Sequence, residues 1–246
     1  MMVTRRGEDR HKMQLDDIQR DHILKSFNVP ASTVHSSVWS RRQYAPMHIH
    51  TEAFASLRAQ IEAAHPEHVI AFDVVFESAG NEVAWHCDYE SIGPFELDDP
   101  WTAIRDEHFC SVHFNLTDHG GRLTTLAWPH LSYVFCLIIA RTGIYSGLHS
   151  LFNWMARPLF VRCGTLYSNA RGLGNSFNNL CLHSVSSGAP RISYVVRLAR
   201  RGCVRISRDS VDRGIERSSA CTAYRRLRSQ VGDESLDVSE VCWSNT

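Results

Sequence analysis

Hydrophobic positions change their spacing along this chain. Between residues 9 and 27, Leu15, Ile18, His22 and Ile23 recur near helical spacing in polar surroundings, which predicts a short surface helix. Residues 36–44 predict a strand. Thr51 is placed to cap a helix running to about Ala64, with Phe54, Leu57 and Ile61 on one face and Pro66 beyond its end. From His68 onward the period shortens. Residues 69–77, 109–116, 122–128, 182–186 and 191–199 are short runs rich in β-branched and aromatic side chains. Gly80, Gly120, Gly121, Gly172, Gly174 and Gly188-Ala189-Pro190 break them up. Short strands separated by turn signals, with few helices between them, predict an antiparallel sandwich or jelly roll.

Residues 129–170 interrupt the strand pattern. They are rich in Leu, Phe and Trp and predict one or two helices inserted between consecutive strands. Such an insert either packs on the outside of the barrel or closes over a substrate as a lid; its position directly after a strand suggests the barrel mouth. Its apolar run 131–140 ends at Arg141, short of the roughly 20 residues that cross a bilayer. After Arg201 the chain turns polar and arginine-rich, then acidic from Ser229, which predicts a loosely ordered tail. The expected organisation is therefore an N-terminal helical and strand extension over 1–66, a β core over 67–200 carrying the insert, and a polar tail over 201–246.

Charge narrows the function classes. Lys and Arg balance Asp and Glu at 26 each, so no global field recruits nucleic acid or an anionic membrane, although a local basic patch remains possible. Eight cysteines are scattered without a C-x-x-C pair, which removes a zinc ribbon or redox pair. The charged N-terminus lacks an apolar signal core, so reduced thiols in a cytoplasmic protein are expected.

The chemistry concentrates in Trp85-His86-Cys87-Asp88. On a strand, residues i and i+2 share a face, so His86 and Asp88 can reach one ion together. A third ligand has to come from a distant strand, and His183 in Cys181-Leu182-His183-Ser184 is the best placed. Two imidazoles and one carboxylate on one side of an iron leave positions open for other ligands. Eight residues on, Arg191, Ser193, Val195 and Arg197 alternate with Ile192, Tyr194 and Val196. An arginine presented inward among apolar neighbours calls for a carboxylate, which its planar fork suits better than lysine would.

The order of these segments resembles the Fe(II)/2-oxoglutarate-dependent dioxygenase superfamily. The matching stretches are Trp85 to Asp88, residues 112–121 ending in Gly120-Gly121, Gly172-Leu173-Gly174-Asn175-Ser176-Phe177-Asn178, and residues 182–193. The resemblance covers about half the chain and implies a double-stranded β-helix. It also implies iron(II) on His86, Asp88 and His183, with O2 and 2-oxoglutarate as co-substrates. By the same resemblance Arg191 binds the distal carboxylate with Ser193 as hydroxyl helper, and Arg197, Asn115 and Thr124 complete the co-substrate set. The implied reaction is C–H oxidation of a small molecule (hydroxylation, desaturation or ring closure), and an amino-acid-derived or terpenoid-like substrate is expected. Trp85, Tyr89, Phe95, Trp128 and Phe177 are expected to form the substrate pocket, with Trp101, Tyr133, Phe152 and Trp154 as further aromatic candidates. Asp88 argues against the superfamily's halogenases, which carry Gly or Ala at that ligand.

The spacing of Arg191 and Arg197 also resembles the alkylation-repair nucleic-acid demethylases, but the gap from His183 is shorter than theirs and the clustered cations that phosphate needs are absent. A zinc hydrolase or lyase could use the same three ligands, leaving Arg191 and Ser193 without a role. A non-catalytic β-sandwich binding protein is the third possibility. Four features are expected to be structural: His48-Ile49-His50, His108 and His119, His113 pointing outward, and a solvated helix face at Arg225 to Arg228.

Overall fold

The computed structural model describes residues 13–28, 42–44, 48–78, 80, 82–88, 95–96, 99–118, 121–142, 147–217 and 222–243. The N-terminal part holds β1 (Met13–Gln14), α1 (Asp17–Ser26), β2 (Arg42–Tyr44) and α2 (Ala55–Ala64). Then come β3 (His68–Ser78), β4 (Val83–His86), α3 (Pro100–Arg105), β5 (Phe109–Asn115) and β6 (Leu123–Leu126). The insert is α4 (Pro129–Thr142) and α5 (Gly147–Cys163), followed by β7 (Thr165–Leu166), β8 (Leu173–Asn178), β9 (Leu182–Val185) and β10 (Arg191–Arg200). The C-terminal part is β11 (Arg205–Ile206), α6 (Arg208–Arg217), α7 (Thr222–Leu227) and β12 (Leu236–Asp237).

Two antiparallel sheets carry the architecture. The larger runs β1-β8-β5-β10-β3-β2 and the smaller β4-β9-β6-β7. Successive core strands alternate between the sheets, from β3 in the larger to β4 in the smaller, then β5 and β6, then β8 and β9. This alternation is the double-stranded β-helix predicted above, and the molecule's own strand order shows it.

Both faces of the larger sheet are buried. Its outer face packs Val112, Phe114, Tyr194, Val196 and Leu198 against Ile23 of α1 and Leu57 and Ile61 of α2. The inner face, carrying Arg191, Ser193, Val195 and Arg197, looks toward the smaller sheet. α1 is shorter than the 9–27 expectation. Asp16 and Gln19 form a capping box at its start, and Ile18 points into solvent. Only Arg42–Tyr44 of the expected 36–44 strand falls among the described residues, where it pairs along β3. Thr51 does not cap α2: its hydroxyl donates to the His48 carbonyl, and a short 3-10 turn precedes the helix. His50 Nε2 hydrogen-bonds the Ala71 carbonyl, a structural use of that histidine.

The insert covers the outer face of the smaller sheet. Trp85 of β4 points outward there and meets Phe160 of α5 edge-on at 5.2 Å, and Asn153 donates to the Trp85 carbonyl at 2.6 Å. No described insert residue lines the cavity between the sheets, so of the two placements that the sequence leaves open the described helices take the outer one. The cause is the period-2 alternation of β4: turning His86 inward turns Trp85 out, and that indole needs cover.

The C-terminal segment is also better ordered than its polar composition suggested. Val204, Ile206, Val211, Tyr224, Leu227, Val238 and Trp243 are buried in the main core, and Glu96 bridges to Arg205. Among the described residues no cysteine is in a disulfide. No described helix is long and apolar enough to cross a membrane.

One buried carboxyl shapes the pH response of this scaffold. Asp73 of β3 accepts from Tyr194 Oη at 2.9 Å and Ile49 N at 3.0 Å, while its other oxygen has no partner. Burial pushes its pKa up to about 7, against the lowering effect of those hydrogen bonds. The folded state therefore holds a proton that the unfolded state releases near 3.8, and this contribution to stability is lost as pH rises toward 7. Asp73→Asn should raise the melting temperature at about pH 9 and change it little at about pH 4. Equal shifts at both pH values would show that Asp73 is already ionised in the folded protein.

Candidate functional site

Strand register brings the two histidines together. β4 and β9 are antiparallel neighbours, and His86 lies directly opposite His183. Their rings are 4.2 Å apart. Each Nδ1 is 2.8–2.9 Å from a carbonyl two residues earlier, that of Ala84 for His86 and Cys181 for His183. A carbonyl only accepts, so Nδ1 donates on both rings and Nε2 is the nitrogen left to face a metal. Two residues past His86, the backbone N–H of Asp88 donates to the Asn179 carbonyl, which fixes where its side chain points.

Asp88 Oδ1 then lies 3.5 Å from His86 Nε2 and 3.7 Å from His183 Nε2. The ligand atoms of all three residues fall within 4.8 Å of one another, and these are the residues among those described that can hold a metal this way. An ion with bonds of about 2.1 Å needs its donors about 3.0–3.4 Å apart, so the two separations from Asp88 Oδ1 would close by about 0.1–0.7 Å on binding.

Protonation suits the same task. Burial pushes His183 down to about 3, and neighbouring His86 adds to this while Asp88 opposes it, so the imidazole is neutral at physiological pH. Burial by itself would raise Asp88. The ion pair with Arg197 and the proximity of His183 overcome it and hold the carboxyl well below its ordinary range. The neutral imidazole of His183 and the anionic oxygen of Asp88 are thus presented without prior deprotonation beside His86, a set that suits divalent iron.

Arg197, expected among the co-substrate residues, has a protein partner within the site. Its Nη1 donates to Asp88 Oδ2 at 2.6 Å and to Ser111 Oγ at 2.8 Å. Arg197 therefore orients the carboxylate from the back, leaving Oδ1 turned toward the histidines. It does line the cavity, but its shown partner is Asp88. The reason is cross-sheet geometry: Arg197 sits on β10 of the larger sheet, facing the end of β4, where a buried cation needs a counter-charge.

The cavity between the sheets has a volume of about 620 Å³ including its open mouth. Arg191 and Ser193 line it from β10, and both are buried. The guanidinium reaches the Ser186 carbonyl at 3.5 Å and passes against Gly121. A Cβ on Gly121 would overlap the Ser186 carbonyl oxygen and stand 2.8 Å from Arg191 Nη1. Gly121→Ala should therefore displace Arg191 and weaken dicarboxylate binding by about tenfold or more, roughly the cost of one disturbed charged hydrogen bond. Calorimetric titration checks this, and unchanged affinity would mean that Arg191 does not touch the ligand.

Other sequence-predicted residues divide sharply. Phe177 lines the cavity, with its ring 5.0 Å from His183. Asn115 does not: its amide donates to the Asn169 carbonyl and its oxygen accepts from Thr117. Thr124 points away from the cavity, with its methyl close to Gly164, while its neighbour Leu123 faces in. Trp85 is in the core beneath α5, and Phe95 packs on Phe109 at 5.4 Å. Trp128 is 40% exposed at the start of the insert. Trp101 stacks on His130, Phe152 packs on Phe135, and neither they, Tyr133 nor Trp154 lines the cavity. Tyr89 and His119 lie outside the described residues.

His113 faces opposite to the sequence-based expectation. It lines the cavity rather than pointing outward. Burial, with Arg191 and Arg197 nearby, pushes its pKa down to about 4, so it is a neutral group in a cationic pocket. Phe76, Val83 and Val185 give the remaining wall an apolar character.

No protein-family model matches this sequence, and no curated protein matches it significantly. Solved structures do show likeness. One is HygX from Streptomyces hygroscopicus with nickel, 2-oxoglutarate and hygromycin B bound, at 12% identity and TM-score 0.48, covering 76% of this chain and 79% of that one. Another is SnoN, the non-heme alpha-ketoglutarate-dependent epimerase from nogalamycin biosynthesis, at 12% identity and TM-score 0.47, covering 78% and 76%. A third is an oxidoreductase of the 2OG-Fe(II) oxygenase family from Burkholderia pseudomallei, at 12% identity and TM-score 0.44, covering 77% and 81%. These are likenesses of chain trace, and the cluster of His86, Asp88 and His183 stands on its own distances.

Proposed function

We propose that this chain is an iron(II)- and 2-oxoglutarate-dependent oxygenase that oxidises a C–H bond of a small molecule. The observation that carries this reading is the placement of His86, Asp88 and His183 on one cavity with the buried Arg191 and Ser193. Iron(II) in such a site supplies O2 activation coupled to decarboxylation of 2-oxoglutarate to succinate and CO2.

The chain's own residues do the positioning. His86, Asp88 and His183 would hold the metal and leave its cavity side open. Arg191 receives the distal carboxylate of 2-oxoglutarate through its fork, with the Ser193 hydroxyl beside it on the same strand face. The cationic Arg191 makes the cavity favourable for an anionic carboxylate, and Arg197 beside it is neutralised by Asp88. Phe76, Phe177, Val83, Leu123 and Val185 exclude water and suit an apolar part of the substrate, in keeping with an amino-acid-derived or terpenoid-like molecule. The balanced overall charge favours a small molecule over nucleic acid. A zinc hydrolase on the same ligands gives Arg191 and Ser193 no task.

Incubating the full chain anaerobically with iron(II) and 2-oxoglutarate, then admitting O2 and ascorbate, should release succinate. Part of this turnover runs without substrate, so the assay does not require its identity. Absence of both succinate and any 2-oxoglutarate-dependent absorption change on metal loading would overturn the reading.

A further inference from the structure

The outer surface of the α4–α5 hairpin is apolar where folding does not require it. The core-facing side of α5 is already satisfied by Phe160 against Trp85 and by Asn153 on the Trp85 carbonyl. Leu151, Trp154, Met155 and Leu159 recur at i, i+3, i+4 and i+8 on the opposite side, with Trp154 76% and Met155 67% exposed. On α4, Val134 and Leu137 are exposed as well. Scattered exposed apolar residues are ordinary, but a continuous helical stripe with an exposed indole marks a contact surface.

Charge identifies what covers it. The chain has 26 acidic residues, yet none falls between 129 and 170, where Arg141, Arg157 and Arg162 stand. Arg157 meets Glu82, just before β4, at 2.8 Å. Arg162 lies eleven residues after Leu151, about three helical turns, so it ends the apolar stripe on the same side. A contact between this hairpin and that of a second copy would leave its arginines facing apolar or basic surface, since the hairpin offers no carboxylate to answer them. An anionic lipid surface answers both features. It accepts Leu, Met and Trp side chains to the depth of the headgroup boundary and pairs with arginines whose stems lie along the apolar stripe.

We propose that the outer face of the α4–α5 hairpin docks this protein on an anionic lipid bilayer, lying in the interface without spanning it. Flotation of the full chain with phosphatidylcholine vesicles, with and without phosphatidylserine, tests this. Binding should be stronger by about tenfold or more on the anionic vesicles and should weaken as salt rises. Arg162→Glu should cut binding to anionic vesicles on the order of tenfold. The double variant Trp154→Ser, Leu159→Ser should abolish it. Both variants should keep the wild-type melting temperature, because these side chains face solvent; a purely structural role would lower it. Three results each overturn the proposal: no flotation with anionic vesicles at low salt, equal flotation of wild type and variants, or a dimer in solution that the double variant dissociates.

Discussion

Asp88→Ala removes the metal affinity of the site and also destabilises the metal-free protein by about 3–5 kcal/mol. Both effects come from one carboxylate whose two oxygens face different partners. Oδ1 completes the donor set with His86 and His183, at 3.5 and 3.7 Å. Oδ2 neutralises Arg197 at 2.6 Å, in a pair whose side chains are each only 12% exposed. Truncation leaves the guanidinium buried with the Ser111 hydroxyl as its remaining shown partner. His183→Ala should abolish metal binding as fully, yet leave no uncompensated charge and cost the metal-free fold far less. A double variant, Asp88→Ala with Arg197→Met, should recover most of the lost stability and none of the metal binding. Denaturant melts of the metal-free proteins beside titrations with iron(II) or cobalt(II) separate the two effects. Equal stability of the Asp88 and His183 variants would show that Arg197 finds compensation elsewhere.

How far the sequence carried depended on which physical constraint wrote each feature. His86 and Asp88 were legible because a two-residue period puts them on one face wherever that segment is extended. Arg191 and Ser193 were legible because β10 is long and its alternation unbroken. The direction of His113 was not. The larger sheet is buried on both faces, with Val112 and Phe114 in the outer core and Ser111 and His113 inside, so hydrophobic alternation does not say which side is the cavity. Thr124, on the smaller sheet, entered the co-substrate set through the resemblance alone, and it is Leu123 that β6 turns to the cavity. The partner of Arg197 was hidden for another reason: its bond to Asp88 spans 109 residues and joins two sheets, and no local pattern records such a contact. α3 could have been found, since Asp99 caps it and Pro100 opens it. The C-terminal segment misled because its buried side chains, such as Val211, Tyr224 and Leu227, are spaced among arginines.

Arg191→Ala is the variant on which the 2-oxoglutarate reading turns. Arg191 is 6% exposed on the inner face of β10, with Ser193 next to it on that face. The backbone around it is shaped to admit the guanidinium, since Gly121 has no side chain to stand in its way. Breaking a buried charge pair by removing one partner costs about 3–5 kcal/mol, which corresponds to a loss of two to four orders of magnitude in 2-oxoglutarate affinity. Arg191→Lys should recover only part of this, because an ammonium cannot reproduce the two-pronged contact. The loss should be specific to the distal carboxylate. 2-Oxobutyrate keeps the 2-oxo acid group that reaches the metal but lacks that carboxylate, so wild type and Arg191→Ala should bind it equally. Metal affinity in the absence of any oxo acid should also stay unchanged, since Arg191 is not among the ligands. Titrations under anaerobic conditions with a redox-inert divalent ion in place of iron measure all three quantities. If 2-oxoglutarate binds Arg191→Ala as tightly as wild type, the arginine serves the fold and the co-substrate lies elsewhere. If 2-oxobutyrate weakens in parallel with 2-oxoglutarate, the substitution has disturbed the whole cavity and not one charged contact.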